Sequence, residues 1–161
     1  MSTSERSVFV PVSLAGLRSL QADGILAGPV PAYGITRALL DWGEFGPEDV
    51  EDATFAAQTF AEVHALTDPT AGPDERRIVL ALPADDFAAD DVDGFGVGTV
   101  PQVRRADVLA VFADEPDTDV RAAREAVRGA GIEAAWADET VAALVDEHEL
   151  GWHEPGEVAE W

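Results

Sequence analysis

The stretch that most constrains the fold runs from residue 47 to residue 66, PEDVEDATFAAQTFAEVHAL, because it is the longest segment with a helical repeat. At 3.6 residues per turn it separates into two faces. The apolar face holds Val50, Ala53, Ala57, Phe60, Ala61 and His64. The opposite face holds Glu48, Glu51, Asp52, Gln58 and Glu62. His64 among apolar residues and Phe55 among acids break the pattern. The stretch predicts the central packing helix of the domain.

The rest of the chain predicts strands and helices that alternate without a dividing linker. The apolar runs at 78–82 and 108–112 do not alternate with polar residues, which is typical of strands covered on both faces. Shorter strands are predicted at 8–12, 95–100, 132–136 and 149–153, and further helices at 13–22, 37–42, 118–128 and 138–147. The strand at 132–136 would return after the helix 118–128 and complete a βαβ unit. The segment 28–34, with two prolines and two glycines, predicts a loop that could end in a short strand at 32–35. We therefore expect an α+β or α/β fold: one domain over 1–161, frayed at 1–6, with a mixed β-sheet of about five strands and packed helices.

The charge of the chain is strongly one-sided. It has 32 acidic and 10 basic residues, a net charge of -22, and every basic residue is arginine. Such a surface resembles halophilic proteins of a high-salt cytoplasm, where carboxylates hold water and salt screens their repulsion. A high-GC genome is the alternative source of this composition, although it would not by itself give so low an isoelectric point. The charge disfavours a nucleic-acid partner.

Several classes of protein are disfavoured by what the sequence lacks. There is no cysteine, so neither a disulfide nor a thiolate metal site can form. No apolar run approaches the length of a membrane helix, and the first residues do not resemble a signal peptide. We expect a cytoplasmic protein that has no membrane partner.

Two loops partly resemble metal or cofactor sites. The acidic run at 85–93, which includes Asp91 and Asp93, precedes Gly94 but lacks a carboxylate at the first position and a glutamate at the twelfth of an EF-hand. The glycines at 94, 96 and 98 have GxGxG rather than GxGxxG spacing, and Pro101 follows where a helix should open. We expect no metal and no cofactor.

The weak candidates for catalysis are His64 and three residues of the segment HELGWHE, His148, Glu149 and His153. The two histidines of that segment are five residues apart, and a zinc protease needs them four apart on a helix. His64 could act as an acid or base, or it could be a core histidine bonded to a neighbouring group. Catalytic chemistry is expected only if these groups converge in one pocket.

The chain also resembles an uncharacterised single-domain family of unknown function from high-GC actinobacteria, here in a halophile-like acidic form. The stretches that carry the resemblance are VFVPVSLAGL, GPVPAYGITRALLDW, PEDVEDATFAA, RRIVLALPADD, VRRADVLAVFADEP and DEHELGWHEPGEV. The last contains the His-Glu-Leu-x-Trp ending of the family, with His148, Glu149, Leu150 and Trp152. The resemblance implies a single intracellular domain and no particular activity.

Two functions follow as hypotheses. The first is a non-enzymatic cytosolic domain, regulatory or interacting, whose partner is another protein or a second copy of the chain; it rests on Trp42, Phe55 and Trp152 as aromatic residues outside the predicted core. The alternative is a small-ligand-binding protein or enzyme that uses a His/Glu site near HELGWHE. Whether the chain is an enzyme is left open, although no catalytic arrangement can be identified in the sequence.

Overall fold

A computed structural model describes residues 7–90 and 94–161, which form six helices and one antiparallel sheet of seven strands within that part of the chain. The strands are β1 (Ser7–Val12), β2 (Ile25–Tyr33), β3 (Ile78–Pro83), β4 (Ala88–Ala89), β5 (Val97–Arg104), β6 (Ala110–Ala113) and β7 (Gly151–His153). The helices are α1 (Leu14–Asp23), α2 (Arg37–Gly43), α3 (Val50–Leu66), α4 (Arg121–Val127), α5 (Ile132–Ala137) and α6 (Glu139–Glu147). The α+β class is confirmed. The expectation of a mixed sheet with about five strands is wrong, because the sheet of the described residues has seven strands and every pairing in it is antiparallel.

The strand order is β4-β5-β2-β1-β3-β6-β7, so the first strand lies at the centre of the sheet. Alternate residues of β1 and β3 face opposite sides, and both sides are buried. One side carries Val8, Val10, Ile78 and Leu80 and is covered by α1 and by Val158 near the end of the chain. The other side carries Phe9 and Val79 and is covered by α3. The prediction of a strand buried on both faces at 78–82 is therefore confirmed.

Helix α3 is enclosed on more than one side, which the two-face pattern did not predict. The residues after its midpoint pack against the sheet and also against α4, α5 and α6 through Val63 and Leu66. Glu62, assigned to the solvent face by periodicity, is only 5% exposed. Val50, assigned to the apolar face, is 44% exposed. The assignment of these two residues was wrong because a helix covered by a sheet and by other helices has no single buried stripe.

Two predicted elements have the opposite character in the structure. The segment 28–34 is not a loop, since most of it lies in β2, where the register with β5 shifts between Ala27 and Val30. The backbones approach so closely here that a Cβ at Gly28 would lie 2.3 Å from the carbonyl oxygen of Pro101. The segment 132–136 is the helix α5 rather than a return strand, so the predicted βαβ unit does not form. Its alanines favour a helix over a strand.

Short polar side chains at Ser13, Thr36, Asp117 and Asp138 predict helix caps, and all but Asp117 are confirmed: α4 begins only at Arg121, where the N-cap residue makes no side-chain hydrogen bond. The side chain of Ser13 accepts a hydrogen bond from the backbone N–H of Gly16 and begins α1, while Gly24 ends that helix in the left-handed conformation. Thr36 and Asp138 cap α2 and α6 in the same way. Residues 1–6, expected to be frayed, lie outside the described part of the chain.

Candidate functional site

An aromatic groove lies between α3 and the helices α2, α5 and α6. Its volume is about 450 Å³. Four aromatic side chains and three acidic ones contribute to its walls, together with short apolar and amide side chains. The residues that line it are Trp42, Phe55, Ala56, Gln58, Thr59, Phe60, Glu62, Trp136, Val145, Asp146, Glu149 and Leu150. None of these described lining residues is basic.

The aromatic rings of the groove are held at fixed angles around Phe60. The ring of Phe60 is buried, and Trp42 and Trp136 meet it edge to face at centroid distances of 5.3 and 4.9 Å. This arrangement is favoured between aromatic rings because the positive edge of one faces the negative face of the other. The two tryptophans therefore form rigid walls that meet at a shared floor.

The outer part of the groove is open to solvent. Trp42 is 49% exposed and Phe55, which the sequence placed among acids, is 57% exposed. Leu150 lines the groove from the segment that precedes β7, and Trp152, two residues further along, is 56% exposed. Large apolar side chains are seldom this exposed in a group, and such patches mark interaction surfaces.

Glu62 lies at the inner end of the groove, and the pKa of its carboxyl group is raised. Burial raises the pKa of its carboxyl group from the ordinary value of 4.5 to about 7, although Arg77 and a hydrogen bond from Gln58 act in the opposite direction. The negative charges of Asp114 and Glu149 add to the increase. Near neutral pH this carboxyl group is therefore divided between its protonated and ionised forms.

Behind Glu62 lies a fully buried ion pair between Arg77 and Asp114. Arg77 donates from Nε and Nη2 to the two carboxylate oxygens over 2.9 and 2.6 Å, and its backbone N–H donates to the same group over 2.9 Å. Nη2 also donates to the carbonyl oxygen of His148 over 3.1 Å. The remaining nitrogen, Nη1, lies 3.6 Å from Oε1 of Glu62 and has no hydrogen-bond partner among the described residues.

A second concavity, the histidine pocket, lies at the other end of α3 and has a volume of about 500 Å³. The hydroxyl group of Tyr33 and Nδ1 of His64 are 2.7 Å apart, and Asp68, Pro11 and Ile132 are among the other lining residues. Burial lowers the pKa of His64, against a smaller opposing effect of Asp68. The imidazole is therefore neutral at pH 7, with one donor and one acceptor nitrogen.

The structure does not bring the predicted catalytic candidates together in one pocket. His64 lines the histidine pocket, whereas Glu149 lines the aromatic groove. His148 is exposed and contributes its backbone carbonyl to Arg77. The side chain of His153 packs against Trp161, with its Nδ1 3.4 Å from Glu157. The four predicted site residues thus lie in four different surroundings, of which two are concave.

Three residues of the groove region were missed by the sequence reasoning, namely Glu62, Arg77 and Trp136. A signal for the ion pair was present, because Arg77 directly precedes the apolar run 78–82 and Asp114 directly follows β6. Antiparallel pairing of β3 with β6 places these two ends side by side. Charged residues at neighbouring ends of two buried strands can therefore indicate a buried pair.

Neither of the two loops with a resemblance to metal or cofactor sites forms such a site among the described residues. Gly96 has φ of 76° and its carbonyl accepts from the N–H of Gly34, so this glycine serves a close turn of the backbone. Asp91 and Asp93 of the acidic run lie outside the described residues. Within 7–90 and 94–161, no three His, Asp or Glu side chains are grouped so that they could hold a metal ion. In the same part of the chain, no helix has both the length and the apolar character needed to cross a lipid bilayer.

Comparison with known proteins assigns the chain to a family. A model of a family of unknown function, DUF6912, matches residues 6–160, so the chain belongs to that family. No curated protein and no solved structure matched it significantly. The function must therefore be inferred from the geometry of the groove and the pocket.

Proposed function

We propose that the chain recognises a protein partner by taking an arginine side chain of that partner into the aromatic groove. The observation that carries the proposal is the combination of aromatic walls, one buried and two exposed acidic side chains, and no basic residue among the described lining. Rings attract a cation through their negative faces, and carboxylates complete the charge. Such a groove favours cations over anions and over neutral groups.

Arginine fits this groove better than lysine does. A guanidinium group is planar and weakly hydrated, so it can stack on a ring such as Trp42 and at the same time donate to a carboxylate. An ammonium group is strongly hydrated and would have to lose more water to enter between the rings. Glu62 and Glu149 supply acceptor oxygens at the walls of the same groove.

A protein partner, rather than a free small cation, is supported by the rim. Trp42 and Phe55 present exposed aromatic area at the outer part of the groove, and Trp152, two residues after the lining residue Leu150, is exposed as well. Aromatic residues with exposed apolar area are enriched in protein interfaces, and they would contact residues beside the arginine. The groove thus resembles an anchor pocket with an apolar surround.

We also infer that the chain works in a cytoplasm of high ionic strength. The net charge of -22 and the absence of lysine support this inference. At molar salt the screening length is about 3 Å, so distant charges contribute little to recognition. Contact pairs at buried carboxylates and ring faces keep their effect, and the groove offers both kinds of contact.

The proposal can be tested with blocked tripeptides in a buffer of molar salt. Gly-Arg-Gly should shift the indole N–H NMR signals of Trp42 and Trp136, Gly-Lys-Gly should bind more weakly, and Gly-Gln-Gly should have no effect. The variant Glu149→Gln should weaken binding about tenfold, the effect expected when a charge-assisted hydrogen bond is lost. The matched control, Glu157→Gln, changes a half-exposed carboxylate away from the groove and should bind as the parent does.

A further pair of measurements tests the part of the proposal that concerns a protein. Leu-Arg-Leu should bind more tightly than Gly-Arg-Gly, and Phe55→Ser should remove most of that gain while leaving the binding of Gly-Arg-Gly nearly unchanged. Equal binding of Gly-Gln-Gly and Gly-Arg-Gly would refute recognition of a cation. Equal binding of Leu-Arg-Leu and Gly-Arg-Gly would refute the role of the rim.

The histidine pocket supports a second candidate function, binding of a small uncharged molecule with a hydroxyl or amide group. The observation that favours it is the pair formed by Tyr33 and a neutral His64 in a pocket with apolar walls. In an enzyme, His64 would accept a proton from such a group. A fragment set of alcohols and amides should shift the ring signals of His64 and leave those of His148 and His153 unchanged; shifts spread equally over all three histidines would refute the assignment.

A further inference from the structure

The buried ionic groups beneath the aromatic groove do not balance in charge. Arg77 and Asp114 satisfy one another through two side-chain hydrogen bonds, and the pair is neutral. Glu62 is a second buried carboxyl group beside this neutral pair. It receives no hydrogen bond from Arg77, whose Nη1 lies 3.6 Å from Oε1. If Glu62 is ionised, the buried cluster therefore carries a net negative charge.

The other groups that face Glu62 do not supply the missing positive charge. On its own helix, Gln58 donates a neutral hydrogen bond to Oε2 over 3.2 Å. The segment before β7 brings Glu149 and helix α6 brings Asp146 to the same groove, and both are acidic. Arg77, at the start of β3, is the single cation that acts on Glu62 among the described residues, and Asp114 already holds it. A buried carboxylate without a full counter-charge is costly, and a proton removes that cost.

We propose that the groove exchanges a proton for the arginine it binds, with Glu62 as the group that releases the proton; this rests on the proposed function above. In the empty groove at acidic pH, Glu62 is a neutral acid. When a guanidinium group enters, the O–H bond of that acid breaks, the proton passes to solvent, and the carboxylate pairs with the guanidinium, which keeps all its own protons. The buried charge of the cluster together with its ligand is zero before and after binding.

The exchange makes binding depend on pH in one direction. Below the range in which Glu62 ionises, each proton must be displaced by the ligand, so affinity should fall about tenfold for every unit of pH. Above that range the carboxylate is already free, and affinity should level off. Glu149 and Asp146 line the outer, exposed part of the groove, whereas Glu62 is its one buried acidic side chain among the described lining residues.

Isothermal titration calorimetry with Gly-Arg-Gly tests the exchange. Titrations at about pH 5.5 in buffers of different ionisation enthalpy should report close to one proton released per peptide, and titrations at about pH 8.5 should report close to none. Glu62→Gln should bind at both pH values without proton release, and Glu157→Gln should release the proton as the parent does. The proton count of the parent protein decides the question if the glutamine variant does not fold.

The outcomes separate the two proposals. Absence of binding at about pH 8.5, where the carboxylate is free, would overturn the proposed function itself. Binding with the same affinity at both pH values and no released proton would overturn the exchange alone. Release of a proton that persists in Glu62→Gln would assign it to another group and would equally overturn this inference.

Discussion

Replacement of Glu62 by glutamine should stabilise the protein at alkaline pH and leave its stability almost unchanged at acidic pH. Glutamine has nearly the shape of a protonated glutamate, and Glu62 is almost fully buried. At acidic pH the parent and the variant therefore place equivalent neutral groups beside Arg77. At alkaline pH only the parent has to hold a buried negative charge.

The size of the effect follows from the acidity of the group. The pKa of Glu62 is about 7 in the folded protein and takes its ordinary value of 4.5 in the unfolded chain. Each unit of pKa corresponds to about 1.4 kcal/mol. Between these two pKa values Glu62 ionises in the unfolded chain but not in the folded protein, which lowers the free energy of unfolding by about 3 kcal/mol. Because the pKa is raised on folding, the stabilising contribution of protonated Glu62 is fully present below about pH 4.5 and is lost as the pH rises through about 7. For a chain of this length, 3 kcal/mol corresponds to roughly 6 to 12 °C in Tm.

The assay is urea denaturation of the parent, Glu62→Gln and Glu157→Gln at constant high salt across this range of pH. Urea is preferred to guanidinium chloride because the guanidinium ion is itself a candidate ligand of the groove. The difference between parent and Glu62→Gln in free energy of unfolding should grow from near zero at about pH 4.5 to about 3 kcal/mol at about pH 8.5. The difference for Glu157→Gln should change by less than about 1 kcal/mol over the same range, because that carboxylate is half exposed and an exposed pair with His153 contributes little.

One result would refute the reasoning. If Glu62→Gln is less stable than the parent at about pH 8.5, then the ionised carboxylate is a net stabilising partner of Arg77. The carboxyl group would then be ionised in the empty groove at acidic pH as well, and no proton would be available there for exchange with a ligand.

Three further predictions concern the ion pair, the histidine pocket and the sheet. Arg77→Met should cost about 3 to 5 kcal/mol in urea denaturation, because Asp114 is left buried without its partner, and a loss below about 1 kcal/mol would contradict the pairing. The ring signals of His64 should titrate in NMR below the ordinary pKa of 6.5, since burial disfavours the charged imidazole, and a midpoint above 6.5 would be inconsistent with that cause. Gly28→Ala should cost about 1 to 3 kcal/mol, because the added methyl group meets a carbonyl of the neighbouring strand, whereas Gly72→Ala, with open space around it, should be nearly neutral; equal effects would argue against the close approach.

Local sequence signals were sufficient for much of the fold. Ser13, Thr36 and Asp138 could be identified as caps because a short polar side chain before a helix can accept from its first N–H groups, and each does so in the structure. Asp117, predicted on the same grounds, does not cap α4. The apolar run beginning at Ile78 predicted a doubly covered strand for a similarly direct reason. Both kinds of signal depend on neighbours close in sequence.

The errors arose where remote contacts decide the structure. The prolines and glycines of 28–34 favour a turn locally, yet pairing with β5 holds them in a strand. The residues of the groove could be predicted only in part for the same reason. Phe55 and Glu149 were singled out from the sequence, whereas the helical repeat assigned Glu62 to the solvent face. Its environment is set by Arg77 and by helices that follow about 70 residues later. The helical repeat of α3 carries no information about the position of Arg77 or of those later helices.

The central place of β1 has a consequence for how the chain folds. The strand is paired with β2 on one side and with β3, about 70 residues later, on the other. The sheet face that it shares with α1 is closed by the last residues: Arg18 donates to the carbonyl of Trp161, and Gln21 to that of Val158. The apolar side of β1 is therefore fully covered only when residues about 150 positions later in the sequence are in place. Contacts this distant in sequence predict slow folding and a long interval in which a chaperone could bind that exposed strand.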